Sequence, residues 1–454
     1  MLLGATALAA PASSAAPATG ATHSSPPGEP GPGTPSPPAH YVQTTRCVAA
    51  SNIPASVRNG VSWAQAQLDY PSLWSLANRG EGQTVAVIDT GINPVSAFGD
   101  RLHAGIDLVL SGGDGLQDCD GHGTVVAGII AAAPDPSTGF AGVAPGVDLL
   151  SIRQSSLDYG IKNAEQSADE NVAGTTGSLA DAIDYAVRAG AEIVNISEDS
   201  CSPGNTAPDD GARAVASAVR RAVAADVVIV AAAGNVDSSS DCKTQNTPGL
   251  SPATVPVPAG LPGVLSVAAV DRTGRPAAFS LAGPWVDVAA PGTDIVSTNP
   301  LPGTSGQINR FLTGSGVSPI QGTSFAAPYV TGLVALVRAR FPGLDAQQVI
   351  ARVERTAVHP AADGGRNDYV GYGMVDPTAA LTDVLPGESA SAPAQRYGPQ
   401  TLPAARPHRD PERSARSTAL LGTLGLFVLI VVGLVATATR RRRAAGLSAR
   451  RGAG

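Results

Sequence analysis

Val85-Ala86-Val87-Ile88-Asp89-Thr90-Gly91 is a short apolar run that ends abruptly on a carboxylate. A run of that length, rich in β-branched residues and closed by a turn residue, reads as a buried strand. A carboxylate at the tip of such a strand loses its water and needs a charged or hydrogen-bonding partner. The plainer reading makes Asp89 a cap on the following turn. Outward from this stretch, the region from Pro71 to Leu385 alternates apolar runs with helical patterns. Strands are expected at Thr84–Ile88, Asp148–Ile152, Ile193–Ser197, Val227–Ala231 and Val264–Val270, with helical spacing over Leu179–Arg188 and Ala212–Ala224. Such alternation predicts an α/β fold with a mostly parallel sheet between helical layers, its reactive residues just beyond the carboxyl ends of the strands.

Three further segments supply chemistry. His122, in Asp120-Gly121-His122-Gly123-Thr124, precedes the apolar Val125-Val126-Ala127-Gly128-Ile129-Ile130, placing it in the first turn of a buried helix. Alone, it would pass for a structural histidine. Of the six histidines, His23 and His40 fall in the N-terminal arm and His408 near the C-terminus; His103 and His359 have no comparable surroundings. Ser324, in Gly322-Thr323-Ser324-Phe325-Ala326-Ala327-Pro328, leads into a helical run from Tyr329 to Arg340. A serine there profits from the positive end of the helix when an oxyanion forms beside it; the bare Gly-Thr-Ser could also be a helix cap. Asn235 follows the apolar run Val227 to Ala231 and the small residues Ala232-Ala233-Gly234. Its amide can donate to an oxyanion, or the Gly-Asn pair can simply form a turn.

The rest of the chain bounds where this chemistry takes place. A net charge of −7 and the lack of a basic face exclude nucleic acid as a partner. Met1 to Ala16 is apolar and rich in small residues, like the end of a secretory signal peptide, though without a basic start. Residues 17–70 form an arm whose Pro/Gly/Ser-rich first half cannot bury a core. A Pro/Ala/Arg-rich linker spans residues 386–417. Thr418 to Thr439, TALLGTLGLFVLIVVGLVATAT, carries no charge and is long enough to cross a hydrocarbon layer of about 30 Å. Arg440 to Arg443 follow at once, so one membrane helix is expected, with residues 440–454 cytoplasmic and everything before it outside the cytoplasm. Four cysteines suit two disulfides in an oxidising compartment. Three pairings are possible. Cys201 and Cys242 fall in loops after successive predicted strands, which favours their bridge and leaves Cys47 to join Cys119 near His122. Zinc is not expected, because Cys119 and His122 lack a second ligand pair. No loop groups enough oxygen ligands to predict calcium, and no cofactor is expected.

Together, Val87–Gly91, Gly121–Gly128, Ala232–Asn235 and Gly322–Pro328 resemble the subtilases, supported more weakly by Val143-Ala144-Pro145 and Val286–Gly292. The resemblance covers nearly all of residues 71–385 and implies a subtilisin-like three-layer domain hydrolysing peptide bonds. Ser324 would attack the scissile carbonyl, His122 would take its proton and Asp89 would stabilise the imidazolium. Asn235 and the Ser324 N–H would hold the oxyanion, with Ser197, Glu198, Ala232, Ala233 and Gly234 beside the substrate. The segment Asp118-Cys119-Asp120-Gly121-His122, the cysteines, the proline-rich stalk and the terminal apolar run further resemble the mycosins. These are membrane-anchored subtilases associated with type VII secretion. That resemblance implies protein or peptide substrates, an arm that wraps the domain, and docking onto a secretion membrane complex. Scaffolding within such a complex is the rival to proteolysis as the main task. An aspartic protease is set aside, because no second Asp-Thr-Gly or Asp-Ser-Gly joins Asp89-Thr90-Gly91.

Two departures stand out. Where many subtilases have Ser-Leu-Gly, this chain has Ser197-Glu198-Asp199, and its carboxylates would favour basic or polar substrate residues or else face solvent. The polar stretch Gln154 to Thr176 is longer than an ordinary strand–helix connection and would shield the cleft or bind a partner.

Overall fold

In the computed structural model, residues 34–47, 61–161, 172–198, 200–237, 242–313 and 316–388 are described. The main sheet has seven strands: β1 Thr84–Asp89, β2 Leu102–Asp107, β3 Asp148–Arg153, β4 Ile193–Ile196, β5 Val228–Ala232, β6 Val264–Val270 and β7 Val288–Pro291. Their order is β7-β6-β5-β4-β1-β3-β2, and every pairing is parallel. The five expected strands are all present, with ends shifted by at most a residue. Asp89 belongs to β1 because it pairs with Arg153, whereas β4 stops at Ile196 and releases Ser197. The two outer strands β2 and β7 were not legible: β2 carries a register shift and half-exposed residues, and β7 is only Val288–Pro291.

Strand periodicity divides the core. Val85 and Val87 point to one face with Val228 and Val230; Ala86 and Ile88 point to the other with Ile229 and Ala231. The first face is covered by α1 His122–Ala131 and by α4 Thr323–Arg340, the second by α2 Thr176–Arg188 and α3 Asp210–Ala224. A further helix, α5 Ala346–Arg355, adds Val349, Ile350 and Val353 to the first face. The outer helices start on side-chain caps: Thr175 and Ser178 form a reciprocal box on α2, and Asp209 accepts the Ala212 N–H on α3. By contrast α4 is buried all round from Thr323 to Arg338, which is why it reads as apolar on every side.

The core begins before Pro71, since Ala64, Leu68 and Tyr70 are buried in its main cluster. The stretch from Gln154 to Thr176 is in part sheet, not loop. Ser156–Ile161 pairs antiparallel with Tyr41–Gln43 of the N-terminal arm and also meets Val172–Ala173. The arm is bonded there through Cys47–Cys119, and Tyr41, Cys119 and Tyr159 share a small cluster. Cys201 is disulfide-bonded to Cys242; it lies on Ser200–Pro203, a short strand paired with Thr254–Val257. Among the described residues no helix is long and apolar enough to cross a membrane. Residues 1–33 and the run 418–439 lie outside the described residues.

Candidate active site

The carboxyl ends of β1, β4 and β5 converge on the amino ends of α1 and α4. Asp89 is fully buried at the tip of β1, and its Oδ1 lies 2.7 Å from His122 Nδ1. The same oxygen accepts the Thr90 N–H at 2.8 Å, so the charge left by burial is met by two donors. Gly123 follows the histidine because nothing larger fits. A Cβ there would meet the Gly91 carbonyl oxygen at 2.1 Å and Asp89 Oδ1 at 3.1 Å.

Asp118 ties this corner together. Its Oδ1 accepts from Thr90 Oγ1 and the Gly121 N–H, both at 2.8 Å. Its Oδ2 accepts from the Thr124 N–H at 2.8 Å and Thr124 Oγ1 at 2.6 Å. Thr90 Oγ1 in turn accepts the Gly123 N–H at 3.0 Å. One buried carboxylate therefore fixes both the residue after Asp89 and the first turn that carries His122. Burial pushes the Asp118 carboxyl up to about 7 despite the Thr124 hydrogen bonds, and Asp120 nearby adds to the rise. Asp120 reaches the other way, its Oδ1 accepting the Leu157 N–H at 2.7 Å, which links the turn to the strand that holds the arm. Neither role was legible, because an aspartate in a loop does not announce which donors it collects.

The corner around Ser324 is built from neutral groups. Gly322, at φ 153°, precedes α4 without a side-chain cap. A Cβ on it would lie 2.8 Å from Ser324 Oγ and 3.7 Å from Asn235 Oδ1, so the glycine keeps open the space between the serine and the amide. Asn235 Oδ1 accepts the Thr323 N–H at 2.8 Å and Thr323 Oγ1 at 3.1 Å, which leaves Nδ2 as the end able to donate elsewhere. Pro328 explains a further contact. Lacking an N–H, it cannot return a helical hydrogen bond to the Ser324 carbonyl, and Ser197 Oγ donates to that carbonyl at 2.8 Å instead. Phe325 packs its ring 4.9 Å from the His122 ring, joining the two corners. Ser324 itself is 7% exposed.

Ala232, Ala233 and Gly234 lie buried behind Asn235. Their main-chain groups are largely spent inside the fold: the Ala233 N–H donates to Val267, its carbonyl accepts from Trp285 Nε1, and the Gly234 carbonyl accepts the Leu281 N–H. They offer close approach more than hydrogen bonds. Glu198 is half-buried beside the histidine, and Asp199 lies outside the described residues. A Glu198 oxygen, an Asp89 oxygen and a His122 ring nitrogen lie within 4.8 Å of one another. Among the described residues this is the one grouping of three such atoms. A cation there would have to displace the Asp89–His122 hydrogen bond.

Burial lowers the His122 pKa, but the Asp89 charge and hydrogen bond, followed by the Glu198 and Asp118 charges, outweigh it and raise the value to about 9. A buried carboxylate on an imidazole, packed through Phe325 against a helix start that carries a serine beside an amide donor, is equipped for acyl transfer.

Residues 80–373 match the Subtilase family of peptidases. Mycosin-4 of Mycobacterium tuberculosis (strain ATCC 25618 / H37Rv) is 44% identical over 420 residues, covering 90% of this chain and 88% of that protein. The solved MycP3 protease from the type VII (ESX-3) secretion system is 40% identical over 78% of this chain and 96% of its own, with a TM-score of 0.68. A chain in the structure of an intact ESX-5 inner membrane complex is 36% identical over 90% of this chain and 97% of its own, also at a TM-score of 0.68. The chain belongs to the subtilase family, among its mycosins, and is a subtilisin-like serine endopeptidase.

Proposed function

We propose that Asp89, His122 and Ser324 form the catalytic triad of this endopeptidase. The observation that carries the reading is the 2.7 Å contact between fully buried Asp89 and His122 Nδ1, which leaves Nε2 to serve the serine. Ser324 Oγ attacks the scissile carbonyl as His122 takes its proton, and Asp89 stabilises the imidazolium. Asn235 Nδ2 and the Ser324 N–H, at the positive end of α4, receive the oxyanion. His122 then returns the proton to the leaving amine, and water repeats the sequence to free the acyl group. Ala232 to Gly234 give the substrate room, and Ser197 carries the chain alongside the nucleophile. A serine-directed fluorophosphonate tests this. Labelling that is lost in Ser324→Ala is expected, and an intact protein that stays unlabelled at every pH overturns the triad.

We further infer an extracytoplasmic enzyme acting on proteins or peptides. Residues 1–16 export it, an N-terminal arm follows, the catalytic domain runs from the Trp63–Leu68 helix, whose Ala64 and Leu68 join its core, to residue 385, and 386–417 form a stalk. Residues 418–439 cross the membrane once and leave 440–454 in the cytoplasm. The uncharged run and the four arginines after it support this anchor. Docking onto a type VII secretion membrane complex is supported by the relative in the ESX-5 inner membrane complex, which matches 90% of this chain. The same match favours a second reading, a stabilising subunit whose proteolysis is secondary. Secretion that survives Ser324→Ala but fails on deletion of the whole protein would select the subunit; loss in both would select proteolysis.

A further inference from the structure

Glu198 belongs to the segment read from sequence as a wall for substrate, yet its carboxylate lies among the groups of the triad. The chain leading to it is pinned on the inside. Thr331 Oγ1 donates to Asn195 Oδ1 at 2.7 Å, Asn195 Nδ2 donates to Ser197 Oγ at 2.9 Å, and Ser197 Oγ reaches the Ser324 carbonyl. Glu198 is the next residue, so its backbone is held against the nucleophile's helix. Its carboxylate oxygen, with one Asp89 oxygen and one His122 ring nitrogen, completes a triangle no wider than 4.8 Å. Two carboxylates that close repel each other unless a positive charge lies beside both. The imidazole is the group placed to carry it.

We propose that Glu198 is a positioning residue of the triad, sharing the His122 imidazolium with Asp89 and so holding the base protonated in the free enzyme. This rests on the triad reading above. Three elements bring carboxylates toward the ring: Asp89 from the end of β1, Asp118 from the turn before α1 and Glu198 from beyond β4. The first turn of α4 brings only uncharged side chains, with Phe325 packed on the ring. At about 5 Å, one unit charge moves the protonation midpoint of an imidazole by roughly 0.6 to 2.5 on the pH scale, from watery to protein-like surroundings. Glu198 alone is therefore able to change by several-fold the share of His122 that is free to act as a base at neutral pH. A protonated His122 cannot accept the Ser324 proton, so the resting enzyme is restrained by its own active site.

The test is the rate of fluorophosphonate labelling of Ser324 in the full chain, followed from about pH 5.5 to 10. The wild type is expected to rise with a midpoint near 9. In Glu198→Gln the midpoint should fall by about one pH unit, so labelling at neutral pH is about tenfold faster relative to the variant's own alkaline plateau. Glu198→Asp, which keeps the charge on a shorter arm, should fall between them. Superimposable profiles for wild type and Glu198→Gln overturn the proposal. So does a lowered plateau at an unmoved midpoint, the mark of a purely structural role. A wild type unlabelled at every pH removes the triad reading and this inference with it. Should Glu198→Gln fail to fold, the Glu198→Asp midpoint decides, an unmoved one overturning the proposal, and the wild type can still refute it. A low-field imidazolium proton resonance at neutral pH, lost with a midpoint near 9, is expected; a neutral imidazole at neutral pH refutes it.

Discussion

The amino ends of α1 and α4 meet at the same cleft and are held by opposite means. Both start after a glycine with positive φ, Gly121 at 75° and Gly322 at 153°, and neither has a side-chain cap. Around His122 the anchors are carboxylates: Asp89, Asp118 and, through the turn, Asp120. Around Ser324 they are an amide and a hydroxyl, Asn235 and Ser197. The chemistry accounts for the difference. In the proposed reaction the imidazole becomes positive and profits from nearby anions, whereas the substrate carbonyl attacked by Ser324 becomes negative and profits from donors with no anion beside them. One helix end is built for a cation and the other for an anion, and the His122 and Phe325 rings meet between them.

The strongest way to break this contrast is to remove the anion from the α1 side. Asp89→Asn should lower kcat by about 10⁴, because an amide presents the wrong hydrogen to Nδ1, while the fold persists by circular dichroism. Next comes the α4 side. Asn235→Ala should lower kcat by about 10²–10³. Asn235→Asp should cost at least as much, since it sets a negative charge where another must form; steady-state kinetics of the pair, with equal losses from KM alone, would refute the contrast. The supports come third. Asp118→Asn gives up acceptors for the first turn of α1, and Ser197→Ala leaves the Ser324 carbonyl without its donor. Each should cost about 1–3 kcal/mol in denaturant unfolding. Only the first should also disturb the pH profile, because only it removes a charge facing His122.

The smallest effect is on stability against pH. Burial raises Asp118 to about 7, Asp287 to about 6 and Glu354 to about 7; for Glu354 the charge of Asp287 adds to the rise. Each carboxyl holds its proton more tightly when folded, so its stabilising share is complete below the unfolded value near 4 and is lost as pH rises through 6 to 7. His122 behaves alike at a higher pH, its share complete below 6.5 and lost through about 9. Calorimetry should find Tm falling from mildly acidic pH toward pH 9, less so in Glu354→Gln. A Tm that rises over that interval would contradict these environments.

Much of the cleft was legible because its residues stand at element ends that local pattern exposes. Asp89 closes an apolar run, His122 and Ser324 open helices, and Asn235 follows small residues after a strand. The proline of Gly322–Pro328 carried information that only contacts explain, namely that it frees a carbonyl for Ser197. Asp118 opens the motif that ends at His122, but its four donors come from Thr90, Gly121 and Thr124, and no local pattern reveals such convergence. Glu198 was read as facing substrate or solvent; where a side chain after a strand turns depends on the neighbouring strand and helix, which periodicity does not encode. The pairing of Tyr41–Gln43 with Ser156–Ile161 spans too much chain for any local rule.

The bond between Cys47 and Cys119 closes a ring of chain, 72 residues apart in sequence, whose far end is next to Asp118. A protease cutting once anywhere inside that ring would divide the polypeptide without dividing the molecule. The arm would migrate as a separate fragment on a reducing gel, yet stay in place on the enzyme. Shedding it takes two events of different kinds, a peptide hydrolysis and a thiol exchange, and neither alone suffices. A single cut would thus be silent in a sizing column under oxidising conditions, and appearance of a second band would not by itself mean that the arm had left the domain.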